Sequence, residues 1–94
     1  MRHEIKLQEQ FCEAVYLGYK PFEIRYNDRG YQKGDEVIFI PVDKNLVKIK
    51  HPVADWIYRI TYVMSGFGIG ENYVVFGIRQ TNMKLVSVRG EEQC

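Results

Sequence analysis

The sequence predicts a small α+β domain, mainly β, in which one N-terminal helix caps a barrel of five or six short strands. Apolar residues recur at helical spacing only within residues 8–17. From Pro21 onward, apolar and polar residues alternate with the period of two that is typical of strands. Segments rich in glycine, asparagine and aspartate separate the alternating runs and predict the turns between them.

The N-terminal part of the chain predicts a short strand followed by the helix. Residues 5–7 are the candidate strand, and residues 8–17 carry an apolar stripe at positions i, i+3, i+4 and i+7. The stripe consists of Phe11, Ala14, Val15 and Gly18. Glu9 lies in the first turn, where a carboxylate interacts favourably with the helix dipole. Gly18 is suited to end the helix in a left-handed conformation.

The middle of the chain predicts strands separated by turns. Residues 22–26 alternate, so Glu23 and Arg25 share one face of their strand. Turns are expected at residues 27–30 and 33–35, because both segments have turn compositions.

Further strands are expected on either side of an exposed loop. Residues 31–32 predict a short edge strand, and residues 36–42 are nearly all apolar, as in a strand covered on both faces. Pro41 should lie near the end of that strand. Residues 43–52 predict an exposed loop or a weak hairpin.

The C-terminal part predicts two further strands and a last edge strand. Residues 56–64 alternate, with one face made of Trp56, Tyr58, Ile60, Tyr62 and Met64. Residues 65–70 predict a glycine-rich loop. Residues 73–79 predict a strand whose apolar side carries Val74, Phe76 and Ile78, and residues 83–88 predict the edge strand.

Length and composition restrict the chain to one small domain. With 94 residues there is no room for a second core, and we expect residues 1–94 to form a single domain. Hydrophobic residues make up 46% of the chain and charged residues 27%, which excludes a disordered protein. The formal net charge of +1 excludes a polycation, so any binding of nucleic acid depends on the local placement of charge.

The sequence predicts a cytoplasmic protein that contacts no membrane. The longest apolar run, residues 37–42, is far shorter than the roughly 20 residues of a spanning helix, and the charged N-terminus does not resemble a signal peptide. Cys12 and Cys94 lack the spacing of a zinc site or a disulfide framework. We expect two reduced thiols, with a bridge between them as the alternative, and neither a metal nor a cofactor.

Residues 18–29 contain the densest group of charged side chains. These are Lys20, Arg25 and Arg29 against Glu23 and Asp28, with a sum of +1. Since Glu23 and Arg25 share a face and Lys20 lies at the helix-to-strand junction, all three can reach one cleft. Cations there would bind phosphate, and the carboxylate would accept a hydrogen bond from an amino group such as cytosine N4. The alternative is a surface salt-bridge cluster of little energetic consequence.

The spacing Gly18-x-Lys20-x-x-Glu23-x-Arg25 resembles the G-x-K-x-x-E-x-R signature of the ASCH domain family, which belongs to the PUA-like superfamily. The flanking pieces resemble the small phage and bacterial branch known as DUF3850, over about residues 3–79. These pieces are residues 3–6, Phe11, residues 27–29, Gly34-Asp35 and residues 73–75.

The resemblance implies a PUA-like β-barrel with a cleft beside the signature strand. Domains of this kind are regarded as RNA-binding or nucleotide-recognising modules, so RNA or a modified nucleoside is the expected partner. By that analogy Lys20, Glu23 and Arg25 line the cleft, and its rim is shaped by Asn27, Asp28 and Arg29. Tyr26 is the aromatic residue best placed to stack on a base. The alternative for it and for Tyr19, Tyr31, Trp56 and Tyr73 is packing in a thin core.

Two other functions remain open at this point. One ASCH branch is an amidohydrolase that removes the acetyl group from N4-acetylcytidine, and it has a threonine where this chain has Glu23. A carboxylate cannot simply replace a hydroxyl nucleophile, so we expect binding rather than catalysis. The enzyme alternative acts on an N4-acylated cytidine-type nucleoside, with Lys20 as base and Glu23 or Glu71 as carboxylate partner. The third possibility is a protein-interaction module of phage or bacterial origin.

Overall fold

Alternation of apolar and polar residues produces five strands, which the computed structural model joins into one curled sheet within residues 1–85, the part of the chain that it describes. The elements are β1 (Arg2–Gln8), α1 (Glu9–Tyr16), β2 (Phe22–Tyr26), β3 (Glu36–Val42), a 3₁₀ helix (Pro52–Asp55), β4 (Trp56–Met64) and β5 (Tyr73–Lys84). The expectation of a mainly-β fold with one N-terminal helix is therefore confirmed, and the described residues contain five strands.

The strand order β1-β3-β4-β5-β2 makes β1 and β2 the two edges of the sheet. β1 pairs with β3 in parallel, and the other neighbours are antiparallel. The sheet curls into a half-barrel, so that its two edges approach each other across a gap, which we call the seam. The guanidinium group of Arg25 in β2 crosses the seam and donates a hydrogen bond to the carbonyl oxygen of Lys6 in β1.

The concave side of the half-barrel holds the hydrophobic core. Alternation in β1 directs Ile5 and Leu7 inward, and α1 contributes Cys12 and Val15. The core cluster comprises Ile5, Leu7, Cys12, Val15, Tyr31, Val37, Phe39, Val53, Tyr58, Ile60, Val74, Phe76 and Ile78. The three inward residues of β5 are those that the sequence predicts on its apolar side.

The helix has nearly the predicted bounds but presents a different face to the core. Of the predicted apolar stripe Val15 is buried, whereas Phe11 is exposed, and Cys12 outside the stripe is buried instead. Because α1 follows β1 without a loop, the strand sets its rotation, and the Cys12 thiol donates toward the Leu7 carbonyl oxygen at 3.7 Å. Gly18 adopts the expected left-handed conformation, with φ of +84°.

The prediction of a short edge strand at residues 31–32 is wrong. These residues have no regular secondary structure, and Tyr31 is buried in the core instead. Its ring lies 4.7 Å from the ring of Phe76 and 4.8 Å from that of His3, measured between centroids. An aromatic ring that fills the half-barrel outweighs the local preference of so short a segment for strand.

The prediction that β4 has a single apolar face is also wrong, because the register of its pairing with β5 shifts between Ile60 and Tyr62. Tyr58 and Ile60 are buried, while Tyr62 and Met64 are exposed. An extra residue in a strand moves every later side chain to the opposite face. A β-bulge at Thr61 therefore turns the last part of β4 outward.

The remaining expectations for the two loops and the C-terminus are met in part. Residues 43–51 form a largely exposed loop with one isolated bridge, as in a weak hairpin, and Pro52 already begins the 3₁₀ helix. Residues 65–70 form a loop. The predicted edge strand at residues 83–88 is instead a continuation of β5 as far as Lys84, and residues 86–88 lie outside the described residues, as does Cys94.

Candidate functional site

A cleft of about 470 Å³ lies at the seam, where β1, the start of α1 and β2 meet. β1 forms one side and β2 the other, and the loop after β3 contributes to the wall. The lining residues are Lys6, Leu7, Gln8, Phe11, Lys20, Phe22, Glu23, Ile24, Arg25, Val42 and Leu46. Apolar side chains thus surround a small charged group, which is the usual composition of a ligand site.

The charged group is centred on Glu23, which is only 3% exposed. Lys20 Nζ donates to Glu23 Oε2 at 2.6 Å. Arg25 donates to Glu23 Oε1 from Nε at 2.9 Å and from Nη2 at 2.7 Å. Burying a carboxylate is unfavourable unless it is paired with a cation and hydrogen-bonded. The three bonds from Lys20 and Arg25 supply the positive charge and the hydrogen bonds together. We call Lys20, Glu23 and Arg25 the cleft cluster.

Local sequence explains why the cleft cluster forms. Alternation in β2 directs Glu23 and Arg25 to the concave side, while the exposed Phe22 and Ile24 lie on the other side. The left-handed Gly18 ends α1, and the chain returns to β2 so that Lys20 reaches Glu23 three residues later. Lys20 Nζ also donates to the Phe22 carbonyl oxygen at 3.0 Å.

The cleft cluster retains unused hydrogen-bond donors. A lysine ammonium has three N–H groups, and two of those of Lys20 are used within the described residues. The Nη1 group of Arg25 has no hydrogen-bond partner among residues 1–85. Two cations face one carboxylate, so the cleft cluster carries a net charge of +1 that is available to an electronegative ligand.

Two arginines bridge the seam, namely Arg25 of the cleft cluster and Arg29 of the turn after β2. Arg25 Nη2 donates to Lys6 O at 2.6 Å, and Arg29 Nη1 donates to Glu4 O at 2.8 Å. Carbonyl groups two residues apart point to the same edge of a strand, so the two arginines satisfy neighbouring acceptors on the free edge of β1. In a closed barrel, backbone N–H groups of β2 would donate hydrogen bonds to these carbonyl oxygens of β1. At the seam the two guanidinium groups donate some of these bonds instead.

The other residues expected at the site occupy different positions. Tyr26 lies on the convex side of β2, and its ring meets that of Tyr73 edge to face at 5.5 Å. Asn27 holds the turn, since its side chain accepts a hydrogen bond from the Tyr31 amide at 3.3 Å. Asp28 is exposed and does not line the cleft. Glu71 is exposed in the turn before β5 and is likewise outside the cleft, so a Lys20–Glu71 pair is not assembled.

Several residues that line the cleft could not be identified from sequence patterns. Lys6 contributes a backbone oxygen, which no side-chain pattern marks. Phe11 and Phe22 both lie beside Lys20, with Nζ at 4.9 Å from each ring centroid, a distance typical of cation–π contacts. The exposed position of Phe22 could have been inferred from its alternation with Glu23. The position of Leu46 in the cleft wall could not have been inferred, because the periodicity of apolar residues does not predict the path of a loop.

A second buried polar pair lies between His3 in β1 and Asp35 before β3. His3 is 3% exposed, and its Nε2 lies 2.8 Å from Asp35 Oδ2. Burial by itself would raise the pKa of Asp35. Hydrogen bonds from His3, from the Gln32 amide and from the N-terminal ammonium of Met1 outweigh burial and hold that pKa below its ordinary value of 3.8.

Burial also shifts the pKa of three other groups. It raises the pKa of the Cys12 thiol, with smaller contributions from Glu9 and Glu23, so Cys12 has the character of an inert core residue. It likewise raises the pKa of the Tyr31 hydroxyl, and that of Tyr58 to about 12. None of these groups lines the cleft.

Residues 1–85 contain no group of three or more side chains of His, Cys, Asp or Glu that could hold a metal ion. Within the same residues, no helix has the length and apolar character needed to cross a membrane.

Comparison with known proteins identifies a matching family model and a solved structure of similar fold. The family model described as "Domain of unknown function (DUF3850)" matches residues 2–78. No curated protein matches the sequence. Among solved structures, the crystal structure of hypothetical protein PH0355 is similar, with a TM-score of 0.57 and 18% sequence identity over 86% of this chain and 100% of that chain. At this identity the likeness concerns the fold alone.

Proposed function

This chain belongs to the DUF3850 family, and we propose that it is a recognition module that binds one nucleotide of RNA, or a modified nucleoside, in the cleft at the seam. The observation that carries the proposal is the cleft cluster, in which a buried carboxylate holds two cations against an apolar cleft. We also assign the chain to the ASCH group of the PUA-like superfamily. The signature Gly18-x-Lys20-x-x-Glu23-x-Arg25 and the half-barrel beside it support that assignment.

The charge distribution in the cleft favours a ligand that carries oxygen acceptors. The unused donors belong to Lys20 and Arg25, and they complement the carbonyl oxygens of a base or the oxygens of a phosphate. Glu23 Oε1 already accepts two hydrogen bonds, so the main task of Glu23 is to hold the two cations. Glu23 Oε2 accepts one bond, from Lys20, and can accept another from an amino group such as cytosine N4.

The size and walls of the cleft favour a flat, partly apolar group. Its volume of about 470 Å³ falls within the range of small-ligand sites. Phe11 and Phe22 offer the aromatic surface on which a base can pack. A base with polar edges and apolar faces matches both the charged centre and these walls.

Calorimetric titration of nucleosides and nucleoside monophosphates, including modified cytidines, into wild-type protein and Lys20→Met tests the proposal. We expect binding by wild-type protein, and an affinity at least about tenfold lower for Lys20→Met, since a hydrogen bond from a charged group contributes about 1.5–3 kcal/mol. Lys33→Met removes an exposed lysine that does not line the cleft, and it should bind as wild type does. Equal affinities for wild type and Lys20→Met, or no binding across the panel, would contradict the proposal.

A further inference from the structure

The convex side of β2, β4 and β5 presents large side chains to solvent. β2 pairs with β5 so that Tyr26 is opposite Tyr73, and β5 pairs with β4 so that Tyr62 is opposite Gly77. Neighbouring outward positions therefore lie in rows across the three strands. We call this surface the outer face; its exposed residues are Phe22, Ile24, Tyr26, Tyr62, Met64 and Tyr73.

The rings of the outer face are accessible. Tyr62 is 64% exposed and Tyr26 53% exposed, although both belong to regular strands. Outward residues on one strand are separated by two residues, or about 6.7 Å. Contiguous exposed apolar surface of this kind marks an interaction site.

Charge on the outer face has one sign. Neither β4 nor β5 contains an aspartate or a glutamate. Arg59 and Arg79 are directly opposite each other in the register, an arrangement that is unfavourable without counter-charge. Arg59 is paired with Glu36 at 3.6 Å, whereas Arg79 has no ion-pair partner within residues 1–85. Exposed rings together with an arginine that is unpaired in the described part of the chain suit a ligand that has flat groups and negative charge.

The outer face is continuous with the cleft at the seam. Ile24 lines the cleft, and it also lines a shallow groove of about 410 Å³ on the outer face. The groove is bounded by Tyr73 and by the glycine-rich residues 68–70. A chain-like ligand held in the cleft can therefore pass over Ile24 toward the Tyr26–Tyr73 pair without leaving the surface.

We propose that the outer face binds the nucleotides adjoining the one held in the cleft, so that the ligand is a single-stranded RNA segment rather than a free nucleotide. This inference rests on the proposed function. Bases stack on the exposed tyrosine rings, and Arg79 pairs with a phosphate. The absence of acidic residues from β4 and β5 and the continuity with the cleft favour this occupant over a protein or a second copy of the chain.

Fluorescence anisotropy with labelled five-nucleotide RNAs, beside calorimetry with the matching nucleoside monophosphates, tests the inference. Wild-type protein should bind the best pentamer at least about tenfold more tightly than the best mononucleotide, because each stacked base adds roughly 1–3 kcal/mol. Tyr62→Ala and Tyr26→Ala should each lower pentamer affinity about tenfold and leave mononucleotide affinity unchanged. Arg79→Ala should lower pentamer affinity and reduce its salt dependence by about one phosphate contact.

Two controls keep a folding defect from being mistaken for lost binding. Tyr26→Phe keeps the ring and should restore pentamer binding. Tyr19→Ala removes a tyrosine that is 80% exposed but lies outside the outer face, and it should have no effect. Unchanged mononucleotide affinity in Tyr62→Ala and Tyr26→Ala shows that the fold and the cleft are intact.

The outcomes separate this inference from the proposed function. Equal affinity for pentamer and mononucleotide, with the tyrosine variants unchanged, overturns the outer-face inference and leaves the cleft proposal in place. Equal affinity for a DNA pentamer and an RNA pentamer overturns the restriction to RNA. A dimer in sedimentation velocity that Tyr62→Ala abolishes assigns the face to a second copy and also overturns the inference. Lack of binding to mononucleotides and pentamers alike rejects the proposed function.

Discussion

The cleft cluster and the His3–Asp35 pair are both buried groups of charged or ionisable residues. They differ in whether hydrogen-bonding groups remain unused after the two groups have formed. In the cleft cluster, two cations share one carboxylate and retain N–H groups beside a cleft. Asp35 instead accepts hydrogen bonds from the His3 ring, the Gln32 amide and the N-terminus of Met1, so its oxygens are occupied from three directions. Surplus donors next to open volume, rather than burial or charge alone, distinguish a candidate binding group from a structural one.

The two groups also connect different parts of the half-barrel. Asp35 joins β1 to the turn before β3, which are neighbours through the parallel pairing of the two strands. The cleft cluster lies where β1 and β2 approach without a backbone ladder, and the side chains of Arg25 and Arg29 bridge the gap. A seam without a ladder leaves space between its edges, and the cleft occupies that space. We therefore expect substitutions in the cleft cluster to affect stability and binding, and substitutions at Asp35 to affect stability alone.

The largest effect is expected from Glu23→Gln. Loss of the carboxylate leaves Lys20 and Arg25 close together without a counter-charge, and breaking a fully buried pair costs about 3–5 kcal/mol. Because the side chains of Lys20 and Arg25 are partly exposed, solvent screening reduces the expected loss in free energy of unfolding to about 2 kcal/mol. Urea denaturation at pH 7 measures it, and calorimetry should show that nucleotide binding is lost as well.

Glu4→Gln is the matched control for that substitution. Glu4 is exposed on β1, and its change should alter the free energy of unfolding by less than about 0.5 kcal/mol. Glu23→Gln protein that is as stable as wild type and binds nucleotides with the same affinity would show that the carboxylate does not organise the two cations.

A smaller effect, confined to stability, is expected from Asp35→Asn. The lowered pKa of Asp35 means that its carboxylate stabilises the fold above the ordinary pKa of 3.8, and this contribution is lost as the pH falls through the lowered folded value. At pH 7 the substitution should reduce the free energy of unfolding by about 1 kcal/mol, as expected for weakened hydrogen bonds to a charged group. The deficit should shrink as the pH is lowered below 3.8.

Urea denaturation of wild type and Asp35→Asn at a series of pH values measures the deficit, and nucleotide affinity serves as the second readout. A deficit that stays the same at every pH would mean that the ionised carboxylate is not its source. A loss of nucleotide affinity in Asp35→Asn would remove the distinction between the two groups.

Local patterns in the sequence were sufficient to predict the elements that position the cleft cluster. Alternation placed Glu23 and Arg25 on one face of β2, and Gly18 marked the end of the helix. The position of Lys20 followed from the short connection between these two elements. All of these inferences depend on residues within a few positions of one another, where periodicity and turn chemistry act directly.

The parts that local patterns could not predict depend on contacts between distant segments. That Arg25 meets the backbone of Lys6 follows from strand order, since β2 pairs with β5 and becomes the edge opposite β1. The outward position of Tyr62 depends on the bulge at Thr61, where Gly77 leaves room: a Cβ at that glycine would lie 2.6 Å from Thr61 Oγ1. Tyr31 is buried because its ring packs against the rings of Phe76 and His3, which belong to distant strands.

The most direct test of the central claim is a ¹H–¹⁵N correlation titration of the full chain with the nucleotide that binds best in calorimetry. If the cleft cluster recognises the ligand, saturable shifts should concentrate at the amides of Leu7, Lys20, Glu23 and Arg25, while the amide of Asp35 remains unchanged. Shifts centred on Asp35, or scattered weak shifts that do not saturate, would contradict the assignment of the cleft as the binding site.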